Sequence, residues 1–305
     1  MSAVSLSGED ALVTGASGFI GSRLCARLLE ADANVNAVSR SERTSADVRW
    51  WAADVCDTEA ARTLVRSVKP DFIFHLASHV TGSRGLDAVL PTLRANLLST
   101  VNILLAASEV GCKRVVLAGS LEEPDGEDRE PVPVSPYAAA KFAANTYGRM
   151  FHSLHGLPVV TLRIFMVYGP AQPDETRLVP YVITSLLRGE SPELSAATRP
   201  VDWVYLDDVV EALCASAQAD GVPGKTLDVG SGILTPVRAV VEEIVRLVRP
   251  SAEPRFGAVP DRPNERIRVA DVERTHALLG WAPRTPLSRG LAATVDWYTA
   301  REDAA

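Results

Sequence analysis

Thr14-Gly15-Ala16-Ser17-Gly18-Phe19-Ile20-Gly21 stands between a short apolar run, Ala11–Thr14, and a helical pattern from about Phe19 to Ala31. Strand, glycine turn, helix is the order in which a phosphate cradle is built. Gly15 permits the tight turn, Gly18 lets a pyrophosphate approach the backbone, and Gly21 lets the helix pack closely. The helix then offers unpaired N–H groups and the positive end of its dipole to an anion. Ser17, Phe19 and Ile20 lie in the same turn and are expected to line the cradle with the glycines.

Working outward, Val35–Ser39, Arg49–Ala53, Phe72–Leu76 and Arg114–Ala118 read as further strands, with helical segments between them. Nearly continuous apolar strands in a βαβα rhythm predict a parallel sheet covered on both faces, an α/β Rossmann-type doubly wound fold. After Gly169 the texture changes, with Pro170, Pro173, Pro180, Pro192 and Pro200 breaking the chain. We expect a dinucleotide-binding domain over 1–169, joined in part by 201–232, which contains a strand at Thr226–Val229. Residues 170–200 and 233–305 are expected to form a smaller mixed α/β C-terminal substrate domain, with Pro254–Asn264 as a loop.

An NAD site wants a carboxylate at the end of the second strand, to accept from the ribose hydroxyls. Here that strand ends in Val38-Ser39-Arg40, with Arg43 just after. A guanidinium suits a 2′-phosphate, so NADP(H) is favoured and NAD(H) remains possible, with Arg40 stacking on the adenine. Asp54-Val55 follows the third strand; Asp54 either accepts from the adenine amino group or caps the helix starting near Thr58. Leu76-Ala77-Ser78 ends the next strand and is expected to pass under the pyrophosphate.

Tyr137 and Lys141 are four apart, hence on one face of a helix. A phenol with an ordinary pKa of about 10 is a poor catalyst at neutral pH. An ammonium one turn away, or an oxidised nicotinamide, favours the phenolate. Ser120 follows the Arg114–Ala118 strand, at the end where a doubly wound sheet binds ligands, and can hold a carbonyl or carbinol oxygen beside Tyr137.

The bulk numbers limit the alternatives. The chain has 305 residues and a net charge of −7, which argues against a nucleic-acid partner. Cys25, Cys56, Cys112 and Cys214 form no CxxC pair, and His75, His79, His152, His155 and His276 show no metal spacing. The start of the chain lacks a signal-peptide pattern, and no apolar stretch approaches the roughly 20 residues of a membrane span. A cytoplasmic protein without metal or membrane is the expectation.

Together these residues resemble the extended short-chain dehydrogenase/reductase family, which includes nucleotide-sugar epimerases, dehydratases and ketoreductases. The matching features span nearly the whole chain: Thr14–Gly21, Asp54, His75-Leu76-Ala77, Asn96, Ser120, Tyr137 with Lys141, Arg163 through Pro170, Asp202 through Asp208, Asp228 through Gly232, Arg262 through Glu265 and Leu279-Gly280-Trp281. The resemblance makes Tyr137 the acid–base, Ser120 the group polarising the sugar oxygen, and Lys141 the ligand of the nicotinamide ribose. It adds Asn96, Phe165 and Val167 to the cofactor site. It implies a nucleoside diphosphate sugar as substrate, with Arg262 at the diphosphate and His79, Thr81, Glu122, Met166 and Arg199 as further contacts. Glu123 either reaches the sugar as well or belongs to a solvated loop running on through Asp125, Glu127 and Asp128. A homodimer is implied through the helix carrying Ala138, Ala139, Ala140, Ala143 and Ala144.

Three departures stand out. Met166 replaces a frequent asparagine, and Val201 a frequent arginine, with Arg199 two residues earlier. Leu121 takes the place of the aspartic acid that dehydratase members carry after the catalytic hydroxyl, while Glu122 matches their glutamic acid. Arg40 tips the expectation towards an NADPH-consuming 4-ketoreductase acting on a nucleotide-activated deoxysugar. The alternatives are an NAD-dependent epimerase or 4,6-dehydratase. A regulator that binds a dinucleotide without turning it over is disfavoured by the presence of Tyr137 and Lys141.

Overall fold

The computed structural model describes residues 6–124, 130–249, 251–261 and 266–303. The chain divides into two compact units. One comprises Met1–Ile164, Val210–Asp228 and Glu273–Trp281; the other comprises Phe165–Val209, Val229–Val272 and Ala282–Ala305.

The first unit opens with β1 (Asp10–Thr14), α1 (Phe19–Glu30), β2 (Asn34–Ser39), β3 (Arg49–Ala52), α2 (Thr58–Val68) and β4 (Phe72–His75). A continuous helical run follows over Leu86–Val110, made of a 3-10 turn (Leu86–Ala88), α3 (Val89–Thr92), a π-helical stretch (Leu93–Leu98) and α4 (Ser99–Val110). Then come β5 (Arg114–Ser120), α5 (Pro136–His155) and β6 (Val159–Ile164). Further along, this unit takes in most of α7 (Leu206–Gln218), β10 (Thr226–Val229) and α9 (Val272–Leu279).

Among the described residues the seven strands run in the order β10-β6-β5-β4-β1-β2-β3. The pairs β1–β2, β1–β4, β4–β5, β5–β6 and β2–β3 are parallel, as the apolar runs predict. β4 is buried along its whole length and β5 at all but Ala118, which is what helices on both faces impose. Leu12, Ile73, Ile103, Leu104, Val115 and Leu117 form the heart of the core.

Helix ends follow local chemistry. Asp57 caps α2, accepting from the Ala60 N–H at 2.7 Å. Ser135 caps α5, accepting from the Ala138 N–H at 3.0 Å, with Pro136 in the first turn and Gly156 closing the helix at φ +68°. The run Leu86–Val110 is 25 residues long and apolar enough to cross a membrane, contrary to the expectation that no stretch approaches that length. It packs on α2 and α5 and buries Thr92, Asn96, Ser99, Thr100 and Asn102, each hydrogen-bonded. Paired polar groups of this kind mark a core helix.

The second unit contains β7 (Met166–Tyr168), α6 (Leu178–Leu187), β8 (Glu193–Leu194), β9 (Pro200–Tyr205), β11 (Leu234–Pro236), α8 (Val237–Val248), β12 (Arg255–Phe256) and α10 (Leu287–Asp303). Its strands pair as β11-β9-β7 and as β12-β8. Tyr168, Val182, Trp203, Val240, Leu291 and Tyr298 form its core, with the Tyr168 ring edge-on to Trp203 and Tyr205. Asp202 is buried and accepts from the N–H groups of Ser231, Gly232 and Ala270.

The expected boundaries shift accordingly. Of 201–232, only 210–228 lies with the first unit, because β9 pairs with β7 and β11 in the second. Residues 273–281 were expected in the second unit and lie in the first, where the Thr275 hydroxyl donates to the Asp228 carbonyl at 2.8 Å. The expected loop Pro254–Asn264 contains β12, held parallel to β8 with the Arg238 guanidinium 3.8 Å above the Phe256 ring.

Candidate active site

The glycine turn has the geometry its sequence predicts. Gly15 sits at φ +68°, in the left-handed region, and a Cβ there would lie 2.8 Å from the Ala77 nitrogen. A Cβ on Gly21 would lie 2.2 Å from the Gly15 carbonyl oxygen. Among the described residues no side chain caps α1, whose N-cap is Gly18. Its first-turn N–H groups stay available to an anion. This is a cradle that glycines keep open and that no described side chain fills, and it fits a dinucleotide pyrophosphate. Ser17 is exposed; Phe19 and Ile20 are half-buried.

Beneath the turn runs a directed hydrogen-bond relay. Ser99 Oγ donates to the Ala95 carbonyl at 2.6 Å, so its single proton is used. His75 Nε2, 3.2 Å away, must then donate to it, and His75 Nδ1 accepts from Thr14 Oγ1 at 2.8 Å. Thr14 Oγ1 in turn accepts from the Ala77 N–H at 3.1 Å. Burial, then the nearby Lys141 charge, pushes His75 down to about 3, so the ring is neutral.

Leu76, Ala77 and Ser78 follow β4 and are half-buried. Asn96, on the π-helical stretch, faces this loop: Oδ1 accepts from Ser78 Oγ at 2.9 Å and from the His79 N–H at 2.8 Å, while Nδ2 donates to the His79 carbonyl. Its polar atoms brace the loop. Thr81 Oγ1 accepts from the Ser83 N–H, which shapes the next turn, and His79 is exposed.

At the end of β2, Arg40 is exposed and its charge is felt at Cys56. Arg43 is placed differently, with its guanidinium 5.6 Å above the Trp50 ring. Asp54 Oδ1 accepts from the Cys56 N–H at 3.0 Å, and Val55 is buried. The cap of α2 is Asp57, so the capping alternative for Asp54 falls to its neighbour.

Ser120 closes β5, while Tyr137 and Lys141 stand one turn apart on α5; all three are buried. The Ser120 and Ser78 hydroxyls stand close enough to the Tyr137 hydroxyl to favour its phenolate. Lys141 Nζ donates to the Ala118 carbonyl at 2.8 Å and lies 5.9 Å from the Tyr137 ring centre. The expectation that the lysine draws the phenol downward meets a stronger effect. Burial pushes Tyr137 up to about 12; the nearby Ser120 and Ser78 hydroxyls pull the other way, while Glu122 and Glu123 reinforce the rise. Burial also pulls Lys141 down to about 8, against the charge of Glu123. A cation bound beside the phenol would act against that rise.

Glu122 and Glu123 take separate paths. Glu122 Oε2 accepts from Ser135 Oγ at 3.2 Å, which ties the segment after β5 to the cap of α5. Glu123 is buried: Oε1 accepts from the Ser120 N–H at 2.7 Å and Oε2 from Asn145 Nδ2 at 2.8 Å. Thr226 Oγ1 donates to the Asn145 side chain at 2.9 Å. The solvated-loop alternative for Glu123 is set aside by this burial. Asn145 and Ser135 are missed in the sequence reading, although Asn145 continues the Tyr137–Lys141 face at the same spacing and Ser135-Pro136 is a helix-start signature.

In the second unit, Phe165 is buried and its N–H donates to the Val229 carbonyl at 2.9 Å. Met166 and Val167 lie on β7 beside Trp203 and Val204 of β9. Arg199 precedes β9, and its carbonyl accepts from the Val237 N–H. Arg262 and the residues Asp125, Glu127 and Asp128 lie outside the described residues.

Residues 11–230 match the family described as the NAD dependent epimerase/dehydratase family. A UDP-glucose 4-epimerase of Mycolicibacterium smegmatis is 32% identical over 94% of this chain and 97% of its own. A dTDP-glucose 4,6-dehydratase of Streptomyces griseus is also 32% identical, over 94% of this chain and 93% of its own. Among solved structures, MoeE5 in complex with UDP-glucose and NAD is 32% identical, with a TM-score of 0.85 over 97% of this chain and 100% of that one. These relatives support the epimerase and dehydratase alternative better than the ketoreductase reading, and they associate the fold with NAD.

Proposed function

Since the chain belongs to the NAD dependent epimerase/dehydratase family, we propose that it is a nucleotide-sugar 4-epimerase that keeps its dinucleotide through the cycle. The observation that carries this reading is the trio Ser120, Tyr137 and Lys141 with Leu121 beside it. The trio can move a proton to and from a sugar oxygen. Leu121 cannot protonate a leaving hydroxyl, so the elimination of a dehydratase lacks its acid at that position.

In the forward direction Tyr137 takes the proton of the sugar hydroxyl, and Ser120 Oγ holds the oxygen as it becomes a carbonyl. A nicotinamide bound here would supply the hydride acceptor, the same hydride for return to the opposite face of the keto sugar and, when oxidised, a positive charge. Return of the proton from Tyr137 together with that hydride, after the keto sugar has turned over, gives the inverted alcohol. Glu122, anchored on Ser135, keeps the segment after Ser120 in place. Gly15, Ser17, Gly18, Phe19, Ile20 and Gly21 would hold the pyrophosphate, Arg40 and Asp54 the adenosine end, and Lys141 the nicotinamide ribose. Asn96 would act on the cofactor through the 76–79 loop that it braces. Because Arg40 stands where a repelling carboxylate would be, NADP is admitted as well as NAD.

The experiment is conversion of UDP-glucose to UDP-galactose by the purified protein, followed by chromatography, with the absorbance of reduced nicotinamide recorded alongside. The expected outcome is sugar conversion with no net change in absorbance. Stoichiometric NADPH consumption with a 4-keto-6-deoxy sugar nucleotide, and no epimerisation, would restore the ketoreductase reading. Titration of both dinucleotides into Arg40→Ala should weaken NADP more than NAD.

A homodimer is part of the same proposal. Leu86, Leu90 and Leu93 are exposed at helical spacing, and Ala139 and Tyr147 are exposed on α5. Sedimentation should give twice the mass of the chain; a single-chain mass would remove this element.

A further inference from the structure

Tyr137, Lys141 and Asn145 occupy successive turns of one face of α5, and all three are buried. Opposite them the chain turns sharply after β5 and sends Glu123 inward, where it is 1% exposed. Gly119 makes the room: a Cβ there would stand 2.6 Å from Glu123 Oε1. Both carboxylate oxygens receive N–H donors, Ser120 N–H at 2.7 Å and Asn145 Nδ2 at 2.8 Å. Burial raises the Glu123 carboxyl above its ordinary value, while the two N–H donors, one on each oxygen, and the charges of Lys141 and Arg163 draw it back towards the ionised form. A buried anion is costly unless charge and hydrogen bonds compensate it, and the cations whose charge reaches it are Lys141 and Arg163. Arg163 is already held by the Asp228 carboxylate at 2.6 Å. Lys141 has the Ala118 carbonyl as its short partner, a neutral group.

We propose that Glu123 is a positioning residue that acts in two ways: its hydrogen bond fixes the backbone of Ser120, and its buried charge, acting through space, keeps Lys141 an ammonium so that the lysine can hold the dinucleotide. The proposal rests on the family reading of Lys141 as a dinucleotide ligand. The groups around Lys141 are Tyr137 on its own helix, with its ring centre 5.9 Å away, and, through their charges, Glu123 after β5 and His75 on β4; Arg163 on β6 acts on Glu123. Of these, His75 is neutral and Arg163 is paired with Asp228. Glu123 is the group that holds Lys141 up against burial, which has already drawn it to about 8. Without the carboxylate the lysine loses its proton at lower pH.

The test uses Glu123→Gln and the double variant Glu123→Gln with Asn145→Asp. In the double variant the carboxylate and the amide change places, and each hydrogen bond keeps a partner. The Ser120 N–H donates to the oxygen of the new amide. That amide's nitrogen donates to one oxygen of the new carboxylate on α5, and the Thr226 hydroxyl donates to the other. One negative charge is retained, moved to α5. Dinucleotide affinity is measured by calorimetry from pH 6 to 10 on the whole chain. Wild-type affinity should hold to about pH 8 and then fall. In Glu123→Gln the fall should begin roughly one pH unit earlier, with affinity about five-fold weaker at pH 8 and unchanged at pH 6. The double variant should return the fall towards its wild-type position.

A loss of affinity by the same factor at every pH, or a shift that the double variant does not reverse, overturns the proposal and leaves Glu123 a packing residue. Should the single variant fail to fold, the double variant and the wild type carry the comparison. Its fall must then lie near the wild-type pH, and any large displacement overturns the proposal. A wild type that binds neither dinucleotide at any pH defeats the family reading itself, a result distinguishable from both.

Discussion

Tyr137→Phe should lower turnover by a factor of about 10²–10⁴, the range that a positioned proton donor contributes, while leaving dinucleotide affinity within a few-fold. The ring stays buried where it was, 8% exposed, so the fold loses a hydroxyl and no packing. Ser120 Oγ keeps the Glu122 N–H and Ser78 Oγ keeps Asn96, so the stability cost should be no more than about 1 kcal/mol. The pH profile carries the sharper signature. Burial holds the phenol up at about 12, so the phenolate is scarce at neutral pH and wild-type turnover rises as pH increases. A bound cation moves that rise to lower pH without removing it. In the phenylalanine variant the rise is absent. Parallel measurement of turnover and dinucleotide titration separates chemistry from binding. Full activity in this variant would remove Tyr137 from the reaction.

The parts of this site that are legible in the sequence are those fixed by local rules. Gly15 needs its left-handed φ and Gly21 needs its missing Cβ whatever the rest of the chain does, so a strand-turn-helix reading finds them. The spacing of Tyr137 and Lys141 puts them on one helix face, and their position after the strand that ends in Ser120 singles them out. The parts that are not legible depend on where the chain goes next. Glu123 sits in an acidic run before a proline and looks like a solvated loop; it is buried because the turn after Ser120 folds it under Gly119. Asn96 looks like a cofactor contact until the π-helical stretch aims it at the loop after β4. The unit boundaries escaped for the same reason. Apart from Asp202, Val201 to Tyr205 are apolar and strand-like in any context, and pairing with β7 and β11, not composition, assigns them to the second unit. The direction of the Tyr137 shift is another case, because spacing shows the lysine and says nothing of how deeply the pair is buried.

Gly21→Ala should damage both folding and dinucleotide binding, and the reason is that nothing near it can move. The added Cβ falls 2.2 Å from the Gly15 oxygen, 2.8 Å from the Gly15 carbonyl carbon and 2.9 Å from the Ala16 Cα. All three are backbone atoms. The turn cannot retreat, because Gly15 is itself pressed against the Leu76 and Ala77 backbone on its far side. Helix α1 must shift away from the turn, which strains the packing of Leu24 and Leu28, both fully buried. Overpacking of this kind costs about 1–3 kcal/mol, and a displacement of roughly 1 Å at a site of fixed geometry costs on the order of 100-fold. Gly18→Ala provides the contrast. Its Cβ would meet one atom, the Gly15 oxygen, at 3.2 Å, and its φ of −85° suits any residue. That variant should melt close to the wild type and still bind the dinucleotide poorly, since the methyl enters the space a pyrophosphate needs. Thermal midpoints and dinucleotide titrations on the two variants decide the matter: if Gly21→Ala melts and binds like the wild type, the turn is not the cradle that the glycines describe.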